Sequence, residues 1–365
     1  MVRALIVDDS VLARRMLSRV LDEDPEIEVV GTASNGKLGL AKISQLKPDV
    51  VVMDLEMPVM GGLEALPILR REHHRLPVVV FSAQSEEGAG KTLEALALGA
   101  NAFCAKPTGV SGPAEAMQCM RDSLLPEIRA LCGLRGARPT LIPKSPAPTP
   151  IARKRTARTR PVEILLIGSS TGGPNALMDV IPLLPADLPV PVVIVQHMPP
   201  MFTKMLAKRL DAASQISVAE ATHGAPLKKG LAYIAPGDFH MVLDSKVRAR
   251  VLLNQEAPEN SCRPAVDPLF RSAAKHYGAS CLAVVLTGMG KDGTAGAKLL
   301  VDQGSKVMAQ DEETCVVWGM PGHVVRAGLA DDILPLKQIG ATITRRITRS
   351  RTLMPQSSHA IGGGR

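Results

Sequence analysis

VEILLIG, residues 162–168, runs directly into SSTGG, residues 169–173: an apolar stretch that stops on two serines, a threonine and two glycines. Two other stretches end in the same way. VPVVIVQ (190–196) is followed by His197, and SCLAVVLTG (280–288) leads through Met289 and Gly290 to Asp292. Short β-branched runs bounded by Gly or Pro predict strands buried on both faces, as in a parallel sheet. In open α/β sheets, sites form beyond the carboxyl ends of strands, where separate loops converge. A serine, a histidine and an aspartate delivered there are the parts of a nucleophilic hydrolase: a weak nucleophile, a base for its proton, and a carboxylate that fixes the imidazole tautomer. The chain order Ser, His, Asp is not the Ser, acid, His order of the α/β-hydrolases, which disfavours that fold.

The chain has 365 residues, 45% of them hydrophobic, enough for more than one core. Aromatic residues make up only 2%, which weakens any reading built on base stacking. No stretch approaches a membrane span, and MVRALIVDDS enters a strand pattern rather than a signal peptide. A cytoplasmic protein without membrane insertion is expected. Cys104, Cys119, Cys132, Cys262, Cys281 and Cys315 show neither CxxC nor Cys/His ligand spacing, so reduced thiols are the simplest account. The net charge of +8 is concentrated. Residues 135–160 carry eight Lys/Arg, no Asp or Glu, and five prolines, which reads as an extended spacer. The segment from Arg345 to Arg365 reads as a similar basic tail. Nucleic-acid binding through these arms is the weaker reading, and none is expected.

Ahead of the spacer, RALIVDD, IEVVGTA, DVVVMDL, PVVVFSA and ANAFCAKP alternate with helical stretches, one of them opened by a capping Ser10. Five such strands predict a small doubly wound parallel sheet. Asp8, Asp9, Asp54, Ser82 and Lys106 all fall at strand ends, and three carboxylates on one rim suit a hard divalent cation. Any one of these alone would read as a cap or turn residue. VDDS, VVMDLEMPVMGG, FSA and Lys106-Pro107 together resemble the receiver domain of two-component response regulators. That resemblance implies a flavodoxin-like fold with Asp54 as phosphoryl acceptor from a histidine kinase. It also implies Asp8, Asp9 and Asp54 around Mg²⁺, Ser82 and Lys106 on the phosphoryl oxygens, and a cis Lys106-Pro107 bond. Gly61 stands where that family often has an acidic residue.

Beyond the spacer, GSSTGGPNAL, VQHMPPMFTKMLAKRLD, YIAPGDFHM, SCRPAVDPLFRSAA, LTGMGKDGTAGAKLL and AQDEETCVVWGMPG resemble the catalytic domain of CheB-type chemotaxis protein-glutamate methylesterases. Fold class α/β with two doubly wound parallel sheets is expected, the second larger and Rossmann-like. The expected layout is a receiver over 1–125, a linker over 126–160, a methylesterase domain over 161–343 and a basic tail over 344–365. The resemblance puts the nucleophile on Ser170, the base on His197 and the acid on Asp292, with Thr171 and the Met289 N–H in the oxyanion hole. Strand geometry alone does not choose between Ser169 and Ser170. IGSSTGG by itself would more often be a phosphate cradle, but no GxGxxG or Walker lysine follows it. His240 and His323 rival His197, yet only His197 directly follows a buried-strand pattern. Asp292 alone would read as a cap of the helix after it. Cys262 reads as structural or lining a substrate loop, and Met198, Met201 and Met289 as core filler or an adaptable rim.

The implied activity is phosphorylation-activated hydrolysis of glutamyl γ-methyl esters on chemoreceptor cytoplasmic helices, releasing methanol. The resemblance leaves open whether this chain also deamidates receptor glutamines by the same route. Mg²⁺ would serve the receiver only, with no cofactor for ester hydrolysis. A chemotaxis-type histidine kinase is the implied partner, and a monomer is expected. Two other classes compete: a binding module that has lost catalysis, which the intact Ser, His and Asp oppose, and a DNA-binding regulator, for which no helix-turn-helix pattern is present.

Overall fold

The computed structural model describes residues 1–134, 160–244, 247 and 249–352. Residues 135–159 of the expected spacer and residues 353–365 of the expected tail lie outside the described residues. In the first unit, β1 (Val2–Val7), β2 (Ile27–Ala33), β3 (Val50–Asp54), β4 (Val78–Ser82) and β5 (Ala102–Ala105) form a parallel sheet in the order β2-β1-β3-β4-β5. That is the flavodoxin-like order. Helices α1 (Val11–Asp22), α2 (Gly36–Leu46), α3 (Gly62–Glu72), α4 (Glu86–Ala97) and α5 (Pro113–Leu131) cover its two faces. Strands β3 and β4 are buried at every position, as runs of valine inside a two-sided sheet require. The Ser10 hydroxyl accepts from the Ala13 N–H at 3.2 Å and starts α1.

The second unit holds β6 (Ile164–Ser169), α6 (Gly173–Val180), β7 (Val192–Gln196), α7 (Phe202–Ala213), β8 (Ser217–Glu220), β9 (Leu231–Ile234), β10 (His240–Leu243), β11 (Val251–Asn254) and α8 (Val266–Tyr277). It continues with β12 (Cys281–Val285), α9 (Thr294–Asp302), β13 (Lys306–Gln310), α10 (Met320–Arg326), β14 (Asp332–Leu334) and α11 (Leu336–Thr352). Seven strands pair in parallel in the order β14-β13-β12-β6-β7-β9-β8, and β10 and β11 form a separate antiparallel hairpin. As in a Rossmann sheet, the first strand, β6, is central and the chain winds away from it in both directions. Here β9 lies inside β8, whose alternating burial suits the edge. The sheet therefore has its switch point at β6, between β7 and β12, where a crevice opens at the carboxyl ends.

Three expectations are corrected. The boundary at 125–126 falls inside α5, which continues to Leu131 through Pro126. Ala116, Met120, Leu124 and Ile128 bury one stripe of that helix. Burying Leu124 and Ile128 at about 1.5–3 kcal/mol each offsets the cost of an internal proline, about 3 kcal/mol. The start of the tail, 344–352, belongs to α11. Its basic composition conceals Ile339, Ile343 and Ile347, all fully buried at four-residue spacing, and the Ser350 hydroxyl accepts from the Val162 N–H at 3.0 Å. Among the described residues the cis peptide bond is Arg263-Pro264, not Lys106-Pro107.

The two units are packed together. One continuous core cluster runs from Leu93 and Leu96 of α4 to Phe202 and Leu206 of α7. The rings of Phe103, on β5, and Phe202 stack with centroids 4.7 Å apart. The Asn175 amide donates to the Leu96 carbonyl at 2.7 Å, the Arg209 guanidinium donates to the Leu93 carbonyl, and Lys208 pairs with Glu86 at 2.9 Å.

Candidate active site

Ser170 follows β6, His197 follows β7, and Met289 and Asp292 follow β12, so the three central strands deliver them to one crevice. His197 Nε2 lies 2.8 Å from Asp292 Oδ2. Asp292 is buried and heavily solvated by the chain itself: Oδ2 also accepts from the Val266 N–H at 2.6 Å, and Oδ1 from the N–H groups of Asp267 at 3.0 Å and Gly293 at 2.9 Å. The Asn260 amide donates to the same Oδ1 at 2.9 Å. Val266 and Asp267 open α8, so the carboxylate sits on the N-terminus of that helix rather than capping α9, whose cap is Gly293. Burial alone would raise the Asp292 pKa, but the hydrogen bond and charge of His197 outweigh it and hold the group below its ordinary value. The imidazole is raised in turn: burial opposes this, and hydrogen bonds with Asp292 and Cys262 overcome it.

The adjacent serines are told apart by their surroundings. Ser169 is fully buried and its hydroxyl donates to Gln196 Oε1 at 2.7 Å, while the Gln196 amide nitrogen donates to the Ser170 carbonyl at 2.9 Å. Ser170 instead faces the crevice, a cleft of about 1220 Å³ that His197, Met289 and Cys262 also line. Glycines make this approach possible. A Cβ at Gly173 would lie 2.0 Å from Gln196 Oε1, and one at Gly288 would lie 2.7 Å from the Ser170 Cβ. Gly172 turns the chain at φ 76°, a conformation glycine adopts without strain.

Two regions of the chain match family models: residues 165–343 match the CheB methylesterase, and residues 4–116 the response regulator receiver domain. A protein-glutamate methylesterase/protein-glutamine glutaminase of Nocardioides sp. is 47% identical over 97% of this chain and 98% of its own. One of the same name from Trichodesmium erythraeum is 47% identical over 94% of this chain and 99% of its own. This chain belongs to the protein-glutamate methylesterase/protein-glutamine glutaminase family. The solved Thermotoga maritima CheB methylesterase catalytic domain is 48% identical and covers 50% of this chain and 98% of its own, with a TM-score of 0.49.

In this methylesterase-family chain the rival histidines serve elsewhere. His240 is buried and accepts at Nδ1 from the Ala265 N–H at 3.2 Å, and His323 is exposed on α10; neither lines the cleft. Met198 and Met289 both line the cleft, Met198 packing into the core as well, while Met201 packs against the core outside the cleft lining. Sequence reasoning missed Asn260, which bridges Asp292 and Asp267 from a backbone at φ 52°. Asparagine tolerates that left-handed region, but no local pattern announces the role. It also missed Gln196 as the partner that occupies Ser169.

Thr171 brings the two units together at the site. Its hydroxyl lies 3.0 and 3.1 Å from the two carboxylate oxygens of Glu127, which projects from α5 of the receiver unit. Burial pushes the Glu127 carboxyl up to about 7, against the opposing influence of Thr171 and of His197. Receiver residues Phe103, Pro107 and Pro126 wall the same cleft.

At the receiver's own rim, Asp8, Asp9 and Asp54 offer carboxylate oxygens within 4.8 Å of one another. Asp8 Oδ2 is buried with no hydrogen-bond donor, and its ion partner Lys106 Nζ lies 3.5 Å away. Lys106 Nζ donates to Asp54 Oδ2 at 2.7 Å. Burial raises the Asp54 pKa, with Lys106 pulling the other way. An oxygen-only set with an unsatisfied buried carboxylate oxygen fits a hard divalent cation. Ser82 is engaged by α4: its hydroxyl donates to the Gly88 carbonyl at 3.2 Å and accepts from Thr92 Oγ1 at 2.7 Å. Among the described residues, no helix is long and apolar enough to cross a membrane.

Proposed function

We propose that the chain hydrolyses glutamyl γ-methyl esters on chemoreceptor helices, releasing methanol, and acts on receptor glutamine γ-amides by the same steps. The observation that carries the reading is the His197–Asp292 pair at 2.8 Å, in the cleft that Ser170 lines. With Nε2–H donated to Asp292, Nδ1 of His197 is the nitrogen left to take the Ser170 proton as Oγ adds to the γ-carbonyl carbon. The oxyanion would be met by Thr171 Oγ1 and the Met289 N–H. His197 returns its proton to the departing methanol, or ammonia, and then draws one from the water that releases the acyl group. Asp292 keeps the imidazole in one tautomer and stabilises its cation; five donors around that carboxylate hold it in place.

The same reading gives the receiver control of the cleft that it walls. Asp8, Asp9 and Asp54 would hold Mg²⁺, which supplies positive charge beside a transferring phosphoryl group. Asp54 would accept that group from a chemotaxis-type kinase, and Lys106 and Ser82 would contact its oxygens. Ser82 must leave Gly88 and Thr92 of α4 to do so, and α4 packs on α7, which offers a route from Asp54 to the interface. The working units are residues 1–131 and 162–352, the protein a cytoplasmic monomer. Methanol release from a methylated receptor fragment tests the proposal. Activity should persist in Ser169→Ala and disappear in Ser170→Ala, and Asp54→Ala should keep the basal rate while losing stimulation by the kinase. A fully active Ser170→Ala protein would overturn the assignment.

A further inference from the structure

Glu127 is an unusual group to find in the wall of this cleft. It is a γ-carboxylate carried on a helix, half-buried, and held by a neutral hydroxyl rather than by a lysine or arginine among the described residues. Both of its oxygens lie within 3.1 Å of Thr171 Oγ1, one residue along from Ser170, and its charge is felt by His197. A wedge that merely closed the site would need only bulk and apolar contact, which Phe103 and Phe202 supply.

On the proposed reaction, the group left behind after turnover is also a γ-carboxylate on a helix, with an oxygen at Thr171. We infer that Glu127 is an internal product analogue, filling the γ-carboxyl subsite of the cleft so that the α5 turn bearing it stands where a receptor helix docks. The receiver then competes with substrate for one subsite, and its retreat frees the hydroxyl that the oxyanion requires. The inference rests on the esterase and amidase reading of the site, which it deepens by naming what occupies the cleft at rest.

A single substitution turns the analogue into a substrate. In Glu127→Gln the side chain keeps its shape but carries a hydrolysable amide. Ser170 Oγ would add to its Cδ with the Ser170 proton passing to His197 Nδ1. Collapse would expel ammonia with that proton, and water would then cleave the acyl-serine, its proton returning through His197 to Ser170. The balance is one glutamine side chain and one water giving one glutamate side chain and one ammonia.

The experiment is peptide mapping by mass spectrometry of purified full-length Glu127→Gln protein, with Glu127→Gln/Ser170→Ala as control. Residue 127 is expected to become glutamate in the first and to remain an amide in the second. Glu127→Ala, which cannot be hydrolysed, should raise the unphosphorylated rate of methanol release about tenfold, the effect of losing one hydrogen bond, chiefly through a lower KM. An amide that persists at 127, together with an unchanged KM in Glu127→Ala, would overturn the inference if wild type still demethylates the receptor fragment. A wild type that releases no methanol would instead overturn the esterase reading and the inference with it.

Discussion

His197 meets Asp292 through Nε2, at 2.8 Å, which leaves Nδ1 as the ring nitrogen outside that pair. That is the reverse of the serine-protease arrangement, in which Nδ1 faces the aspartate. The difference follows from direction of approach: Asp292 is fixed by the first N–H groups of α8, while Ser170 comes from the neighbouring β6. The pair also sets a pH dependence. The imidazole is raised above its ordinary value, so the neutral base appears only as pH climbs through that raised value. The acid limb of kcat/KM should therefore lie above the ordinary histidine range, about 6.5. In Asp292→Asn the limb should move down and the rate fall about 10⁴-fold, as when a triad acid is lost elsewhere. An unmoved limb would count against the pairing.

Ser169→Ala should cost stability rather than chemistry. The substitution strands Gln196 Oε1 in a buried position, a penalty of about 1–3 kcal/mol. Denaturant unfolding should show that loss, and kcat should stay within about tenfold of wild type because Ser170 and His197 are untouched. A collapse of kcat with stability unchanged would mean that Ser169 is the reacting serine.

Gly288→Ala should impair both. The added methyl would sit 2.6 Å from Met320 Sδ and 2.7 Å from the Ser170 Cβ, in a region with no space to yield. Overpacking of this kind costs about 1–3 kcal/mol, and displacing Ser170 should lower kcat more than it changes KM. Wild-type kinetics in this variant would show that the serine does not depend on that close approach.

The docking of the receiver should weaken as pH rises. Glu127 is raised from an ordinary 4.5 to about 7 when docked, so docking takes up a proton. Its contribution is fully present below the free value and is lost as pH climbs through about 7. His197 and Thr171 face the carboxyl from the catalytic unit and Cys104 from the receiver; a charged His197 opposes the shift. The unphosphorylated rate of Glu127→Ala relative to wild type should fall between about pH 6 and about pH 8. A ratio that rises over that range would reverse the assigned sign.

The parts that were legible in the sequence are those written in local periodicity. Runs such as VVVMD and VVVFS can only be two-sided strands, and the polar residues that end them sit at carboxyl edges whatever the details of packing. This put Asp8, Asp54 and Lys106 on one rim and Ser170, His197 and Asp292 on another. Helix ends were less legible. Pro126 and the arginines of 345–351 read as breaks because composition hides a stripe of Leu124 and Ile128, or of Ile343 and Ile347, whose value depends on the surface that covers it.

By itself, then, the sequence determined two wound sheets and the strand ends that carry the chemistry, since strand period and turn residues act over a few neighbours. Tertiary structure alone decided the different surroundings of Ser169 and Ser170, the seat of Asp292 on α8, and the meeting of Glu127 with Thr171. Each of these turns on which buried polar group finds a partner from a distant segment. Such pairing is a property of the packed interior, where an unmet donor or acceptor is costly, and no window of neighbouring residues contains it.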